Sequence, residues 1–248
     1  MKISIITVSF NAAATIAATL ESVRAQIFGD IEHVLIDGGS TDGTQAIIQT
    51  MLRPGDRFIS EPDKGLYDAM NKGVALASGE VIGILNADDI FARPDVLAHV
   101  AQAYERHGVD AILGDVGFFR DGAPDRIVRR YDSGYFRPNR IAWGIMPAHP
   151  GMYLTREAYD RVGPYRTDFR IAADFEFVAR AFMKHGLSFS HLPEIIVKMR
   201  LGGVSTDGLG AKLTINREVL RACRENGLYS NNFMIASKYF RKFRELLG

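Results

Sequence analysis

The chain has 248 residues, 47% hydrophobic and 24% charged, which is enough to bury one large core or two fused subdomains and too apolar for disorder. Its Lys and Arg total 30 against 29 Asp and Glu, so a formal net charge of +1 gives no overall field for nucleic acid or for an acidic partner. The single cysteine, Cys223, excludes an internal disulfide framework and a Cys-rich zinc site, fits a reducing compartment, and reads as a small helix residue.

The opening MKISIITVSF is too short an apolar run for a signal peptide, and no window reaches the roughly 18 apolar residues of a membrane span. A cytoplasmic protein is expected, attached at most to the inner face of the cell membrane. Along the chain, ISIITVSF reads as a strand, AAATIAATLESVRAQ as a helix, IEHVLID as a strand, and TDGTQAIIQTML as a helix opened by Ser40 or Thr41 as N-cap. A short strand near Arg57 to Ser60, a helix across LYDAMNKGVALA and the strand EVIGIL follow. Strands alternating with helices predict a mostly parallel sheet, and near-continuous apolar strands predict that both its faces are covered. After a helix at about Pro94 to His107 the pattern loosens into AILGDVGFF, a turn and RIVRRY, an antiparallel excursion. Then come IMPAHPGMYLT, a helix from Arg156, the helical ADFEFVARAF, the strand-like LSFSHLPEIIVKMR, a Gly-rich LGGVSTDGLG and a C-terminal helical region. No repeat or linker divides the chain, so the expected fold class is α/β, a single domain with a Rossmann-like N-terminal half, a mixed α+β second half and C-terminal helices.

In an open parallel sheet, ligands bind beyond the carboxyl ends of the strands. Ser9 and Asn11 follow the first strand, Asp37 ends the second, and Asn86, Asp88 and Asp89 follow VIGIL, so these side chains should converge on one crevice. Adjacent acids repel one another unless a positive charge sits between them, and hard oxygen ligands without Cys or His suit Mg²⁺ or Mn²⁺. The same acids also admit a plainer account, a helix N-cap followed by a solvated turn.

The segments ITVSFNAAATI, VLIDGGSTDGT, EPDKGLYDAMNKG and LNADDI, followed by AHPGMYL, AADFEF and GGVS, together resemble the family 2 glycosyltransferases of the GT-A fold over roughly residues 2 to 206. That resemblance implies inverting transfer of a sugar from a nucleotide donor, usually a UDP- or dTDP-sugar, to a hydroxyl of a saccharide or lipid-linked acceptor. It implies a divalent metal on the diphosphate, and divides the domain 1–206 into a donor half, 1–91, and an acceptor half, 92–206. Asn86 and Asp88 take the outer places of the family's Asp-any-Asp motif around Ala87, with Asp88 as the main metal ligand and Asp89 beside it. Asn86 departs from the usual first Asp. Gly38 departs from a second consecutive Asp that reads the base, leaving Asp37 to accept from a base N–H or a ribose hydroxyl, or merely to close an Asx-turn. The resemblance places Asp63, Lys64, Asp68 and Asn71 along the nucleotide pocket, although Lys64 also reads as a solvated lysine and Asn71 as a helix-to-loop tie. Asp174 matches the base position, with Glu176 its neighbour and a helix cap its structural alternative. His149 falls near the diphosphate or acceptor, and Ser205 in a glycine loop that closes over the nucleotide. Trp143 either stacks on a sugar or fills the core.

Outside the resemblance, in the region 207–248, Ile235, Tyr239, Phe243, Leu246 and Leu247 share one helical face opposite Lys238, Arg241, Lys242 and Arg244. Such a face, 235–247, either lies on an anionic membrane or packs on its own domain. Two other functions compete with the glycosyltransferase: a nucleotidyltransferase, which would want a basic phosphate loop where SFNAAATI has none, and a non-catalytic nucleotide-sugar-binding subunit.

Overall fold

A computed structural model of the chain describes residues 1–201 and 208–237. Strands β1 (Ile3–Ser9), β2 (Ile31–Asp37), β3 (Arg57–Ser60) and β4 (Val81–Ile84) alternate with helices α1 (Ile16–Arg24), α2 (Thr44–Met51) and α3 (Leu66–Leu76). All four strands are parallel, in the order β3-β2-β1-β4. The sheet then turns mixed. Following helix α4 (Val96–His107), strand β6 (Ala111–Arg120) pairs with β7 (Ala123–Tyr131), β8 (Met152–Thr155) and β9 (Phe189–Arg200). Strand β8 runs antiparallel to β4 and joins the two halves into one continuous sheet. Strand β5 (Asp89–Phe91) closes the far edge, antiparallel to β9.

The apolar strands are explained by cover on both faces. Ile6, Val8, Val34 and Ile36 point into one core with α3, α5 (Arg156–Val162), α6 (Ala173–Ala179) and α7 (Gly208–Glu225). Ile3, Ile5 and Val81 point the other way, under α4, while Leu35 meets α1 and α2. The core under α6 and α7 includes Val219, Ala222, Cys223 and Ile235, so α7 and the described chain as far as Ile235 are built into the same domain.

Two local expectations are corrected. Helix α2 starts at Thr44, not beside Ser40 or Thr41, because left-handed Gly43 precedes it and Asp42 accepts from both the backbone N–H and the hydroxyl of Thr44 at 3.1 and 2.6 Å. Asp89 is neither a cap nor solvated; it opens β5 and is 1% exposed.

Gly83 pairs with Tyr153 across the seam between β4 and β8, and a Cβ at residue 83 would lie 2.5 Å from the buried tyrosine ring. Gly83→Val should therefore lower stability by about 1–3 kcal/mol through overpacking. A urea titration against the parent chain measures it, and an unchanged midpoint would contradict this account of the seam.

Candidate active site

The carboxyl ends of β1 and β2 are knotted together by one acid. Asp37 is fully buried, and its oxygens accept from Ser9 Oγ at 3.0 Å, Ser40 Oγ at 2.5 Å, Ser60 Oγ at 2.7 Å, and the backbone N–H groups of Gly39 and Ser40 at 3.1 and 2.9 Å. Burial alone would raise this carboxyl, but the donors from Ser40, Ser60 and Ser9 outweigh it and hold the group below its ordinary value. Asn11 completes the knot. It sits at φ 48°, a left-handed conformation that asparagine tolerates, and there its N–H reaches Ser40 Oγ at 2.8 Å while its Oδ1 accepts from Thr41 N at 3.0 Å.

Gly38 forms a notch in this rim. A Cβ there would lie 2.5 Å from Asp63 Oδ2 and 3.3 Å from the ring of Phe10, which is 66% exposed. The Asp63 carboxylate thus occupies the space that a side chain at residue 38 would take, and Gly65 N fixes its other oxygen at 2.8 Å. Lys64 is exposed on the same loop, and its backbone N–H donates to Asp68 at 3.1 Å. Asn71 grips the backbone of Tyr165 from both sides, donating to the carbonyl and accepting from the N–H, each at 2.8 Å.

Beyond β4, the chain turns through Ala87 and half-buried Asp88 into Asp89. Asn86 Nδ2 donates to Asp89 Oδ2 at 3.0 Å, yet Asn86 Oδ1 and Asp89 Oδ1 are both buried without a partner among the described residues. Burial first, and then the charge of Asp88, push the Asp89 carboxyl well above its ordinary value. Buried acceptors left unpaired are costly, and oxygen-only donors are what a hard divalent cation takes. The residues present therefore fit such an ion.

Asp174 lies in the first turn of α6. Its Oδ1 accepts from Phe175 N at 2.7 Å and faces the Tyr67 hydroxyl at 3.4 Å, while no described residue donates to Oδ2. Burial raises this carboxyl, and the nearby His149 opposes the shift. Burial lowers His149 in turn, whose Nε2 meets the Tyr165 hydroxyl at 3.0 Å. The Tyr67 hydroxyl donates to the carbonyl of Ile171. Neighbouring Glu176 has a different use: it is 2% exposed and forms a two-pronged ion pair with Arg180 at 2.9 and 3.0 Å.

Trp143 is 39% exposed at the end of a 3-10 turn, so it does not fill the core. Ser205, with its glycine loop, lies outside the described residues, as does the tail beyond Ser237; of its apolar face, Ile235 is described and is buried. Among the described residues no helix is long and apolar enough to cross a membrane. The ligand atoms of Asp115, Asp132 and His191 also lie within 4.8 Å of one another, a second candidate cation cluster. There, however, Arg130 Nε already bonds Asp115 Oδ2 at 2.9 Å, and Ser133 N takes Oδ1 at 2.8 Å. Phe10, Ser40, Ser60 and Tyr67 escape sequence reasoning. Only the exposed aromatic between Ser9 and Asn11 offers a signal that could have found one of them.

The family model "Glycosyl transferase family 2" matches residues 4–163. An uncharacterised glycosyltransferase of Mycobacterium tuberculosis is 38% identical over 181 residues, covering 72% of this chain and 68% of its own. A PGL/p-HBAD biosynthesis glycosyltransferase of Mycobacterium bovis is 34% identical over 210 residues, covering 82% and 78%. Among solved structures, S. aureus TarS 1-349 in complex with UDP-GlcNAc superposes with a TM-score of 0.67 at 18% identity over 89% of this chain and 67% of that one. The mannosyltransferase PcManGT from Pyrobaculum calidifontis, in complex with GDP-Man and Mn²⁺, gives 0.65 at 20% over 90% and 63%. The chain spans 40% of the longer TarS structure. At these identities the two structures establish the GT-A-like fold.

Asn71→Ala would leave both backbone groups of Tyr165 without their partners, in a residue 3% exposed. Stability should fall by about 1–3 kcal/mol, read as a lowered denaturation midpoint, and a silent substitution would count against the clamp.

Proposed function

The chain belongs to glycosyl transferase family 2, and we propose that it is an inverting enzyme moving a sugar from a UDP- or dTDP-sugar to a hydroxyl of a saccharide or lipid-linked acceptor. The observation that carries this reading is Asp174 Oδ2, an oxygen to which no described residue donates, on a carboxylate whose other oxygen is fixed. A base needs a carboxylate held still with one lone pair free. Inversion requires the acceptor oxygen to attack the anomeric carbon opposite the departing nucleoside diphosphate, and Asp174 takes its proton as the new bond forms. His149, whose imidazole burial holds below its ordinary value, interacts electrostatically with that carboxylate.

On the donor side the nucleoside lies across the knot of Ser9, Asn11 and Asp37. Asp63, seated in the notch at Gly38, takes the place of the missing second acid and, with Phe10, faces the base. Lys64 reaches toward the diphosphate from its exposed loop. Asn86, Asp88 and Asp89 would hold a Mg²⁺ or Mn²⁺ ion, the two orphaned oxygens being the support for this assignment. Such an ion, when bound, offsets the charge gathering on the leaving diphosphate. The complexes of PcManGT with GDP-Man and Mn²⁺, and of TarS 1-349 with UDP-GlcNAc, support the same class of donor. Reaction at the inner face of the membrane belongs to the same proposal.

Asp174→Asn keeps the size of the side chain and removes proton acceptance. Donor affinity in the presence of Mn²⁺ should be nearly preserved while transfer falls by about 10²–10⁴-fold. Unimpaired transfer would end the assignment, and parallel loss of binding would move Asp174 to donor support. Donor binding by the parent chain with no turnover, across UDP-, GDP- and dTDP-sugars, would favour the non-catalytic subunit.

Because burial raises the Asp174 carboxyl, its proton persists to a higher pH than on an ordinary aspartate near 3.9. The acid limb of kcat/KM, which reports the free enzyme, should therefore fall at a pH above that value, and a limb at or below about 3.9 would contradict an active carboxylate in this setting. Excess EDTA and Asp88→Ala should each abolish turnover, and full activity in EDTA would remove the ion from the proposal.

A further inference from the structure

Helix α6 continues directly into a π turn over Arg180–Lys184, and its N-cap, Ala172, offers no side chain to its first turn. The entry to the helix is therefore held from elsewhere. Three consecutive backbone N–H groups enter it, and all three are taken by one carboxylate from another helix. Glu218 Oε1 accepts from Arg170 N at 2.7 Å, and Oε2 accepts from Ile171 N at 2.9 Å and Ala172 N at 2.8 Å.

We propose that Glu218, on α7, is a positioning residue for Asp174, holding the segment 170–172 so that the carboxylate two residues on keeps one place. The carbonyl of Ile171, in the same segment, receives the hydroxyl of Tyr67, which also faces Asp174 Oδ1. The segment is thus held from α7 on its N–H side and from α3 on its carbonyl side. Glu218, Arg221 and Glu225 fall at i, i+3 and i+7, one stripe of α7. Arg221 bonds the carbonyl of Asp168 at 3.2 Å and pairs with its carboxylate, and Glu225 pairs with Arg166 at 2.5 Å. Between the two guanidiniums the buried Phe169 ring is covered at 4.9 and 4.4 Å. One face of α7 therefore grips the whole run from Arg166 to Ala172. The family match ends at residue 163, before this run begins.

This inference rests on Asp174 acting as the base, and the test separates the two. Glu218→Gln, Asp174→Asn and the double variant are compared in the full chain. UDP with Mn²⁺ serves as the binding probe, and the donor that a UDP-, GDP- and dTDP-sugar screen selects serves for turnover. Gln keeps the length but replaces one acceptor oxygen by a donor facing donors. For Glu218→Gln, kcat should fall about 10- to 100-fold, the scale of a misplacement of about 1 Å, with the UDP dissociation constant within about twofold of the parent. The acid limb of kcat should move to lower pH, since one negative charge near Asp174 is gone. Glu218→Asp should recover part of the loss, and hydrogen exchange at residues 170–172 should quicken in the Gln variant.

In the Asp174→Asn background, Glu218→Gln should cost little more, because there is no base left to place. Additive losses, an unchanged kcat, or a loss matching only the unfolded fraction with an unmoved acid limb would each overturn the proposal. If the Gln variant fails to fold, Glu218→Asp carries the same comparison, and parent-like kcat with quickened exchange at 170–172 would overturn it. A silent Asp174→Asn would instead show that the base reading itself had failed, whatever Glu218 does.

Discussion

A carboxylate buried at the end of a strand must be surrounded by donors or give up its charge, since an unpaired buried ion costs far more than a domain's margin of stability. Asp37, at the end of β2, meets that constraint with five hydrogen bonds, drawn from the ends of β1 and β3 and from the turn that follows β2. Satisfying the charge therefore ties three strand ends into one rim. Asn11 and Ser40 extend the tie to the neighbouring loop. The order β3-β2-β1-β4 puts the reversal of strand order at β1, where an open sheet leaves a crevice, and the Asp37 knot forms one wall of it.

The acids after β4 have the opposite character. Asp89 is as buried as Asp37, but the chain offers it one amide donor and leaves an oxygen of each partner orphaned. The two strand ends differ in what they ask of a ligand. At Asp37 the protein has met its own demand, so that end is preorganised. At Asp89 the demand stands open, and it is for positive charge. A nucleoside diphosphate laid between them would find a rigid polar rim on one side and, with an ion at the other, the charge that its phosphates lack.

Much of the parallel first half was legible because its signals are local. Near-continuous apolar runs separated by helical periods identify parallel strands covered on both faces, and polar residues at the ends of such runs mark the crevice. The failures share a cause as well. Strand β5 has three residues, and its partner in β9 lies more than a hundred residues away, so no window of sequence contains it. Gly43, not Ser40 or Thr41, is the N-cap of α2, because its left-handed backbone resets where the helix can begin. Gly38 read as a missing acid, whereas the notch it opens is filled by Asp63 from another loop. Asn71 is the helix-to-loop tie that its sequence allowed, but its partner Tyr165 and the role of Glu218 were hidden because both side chains bond to backbone, and backbone groups carry no letter in a sequence.

What the sequence hid differs from what it showed for a physical reason. The parallel first half is positioned by the ladder of the sheet, where one register fixes every side chain at the strand ends at once. The segments around α5 and α6 are positioned by single side chains. Arg180 bonds Glu176 and the carbonyls of Val162 and Pro164, Asn71 holds Tyr165, and Glu218 holds the entry to α6. A ladder tolerates little change without losing register, but a clasp can be exchanged for another clasp. A fold built this way can keep the crevice at its strand ends while the clasped segments around α6 vary in sequence and length.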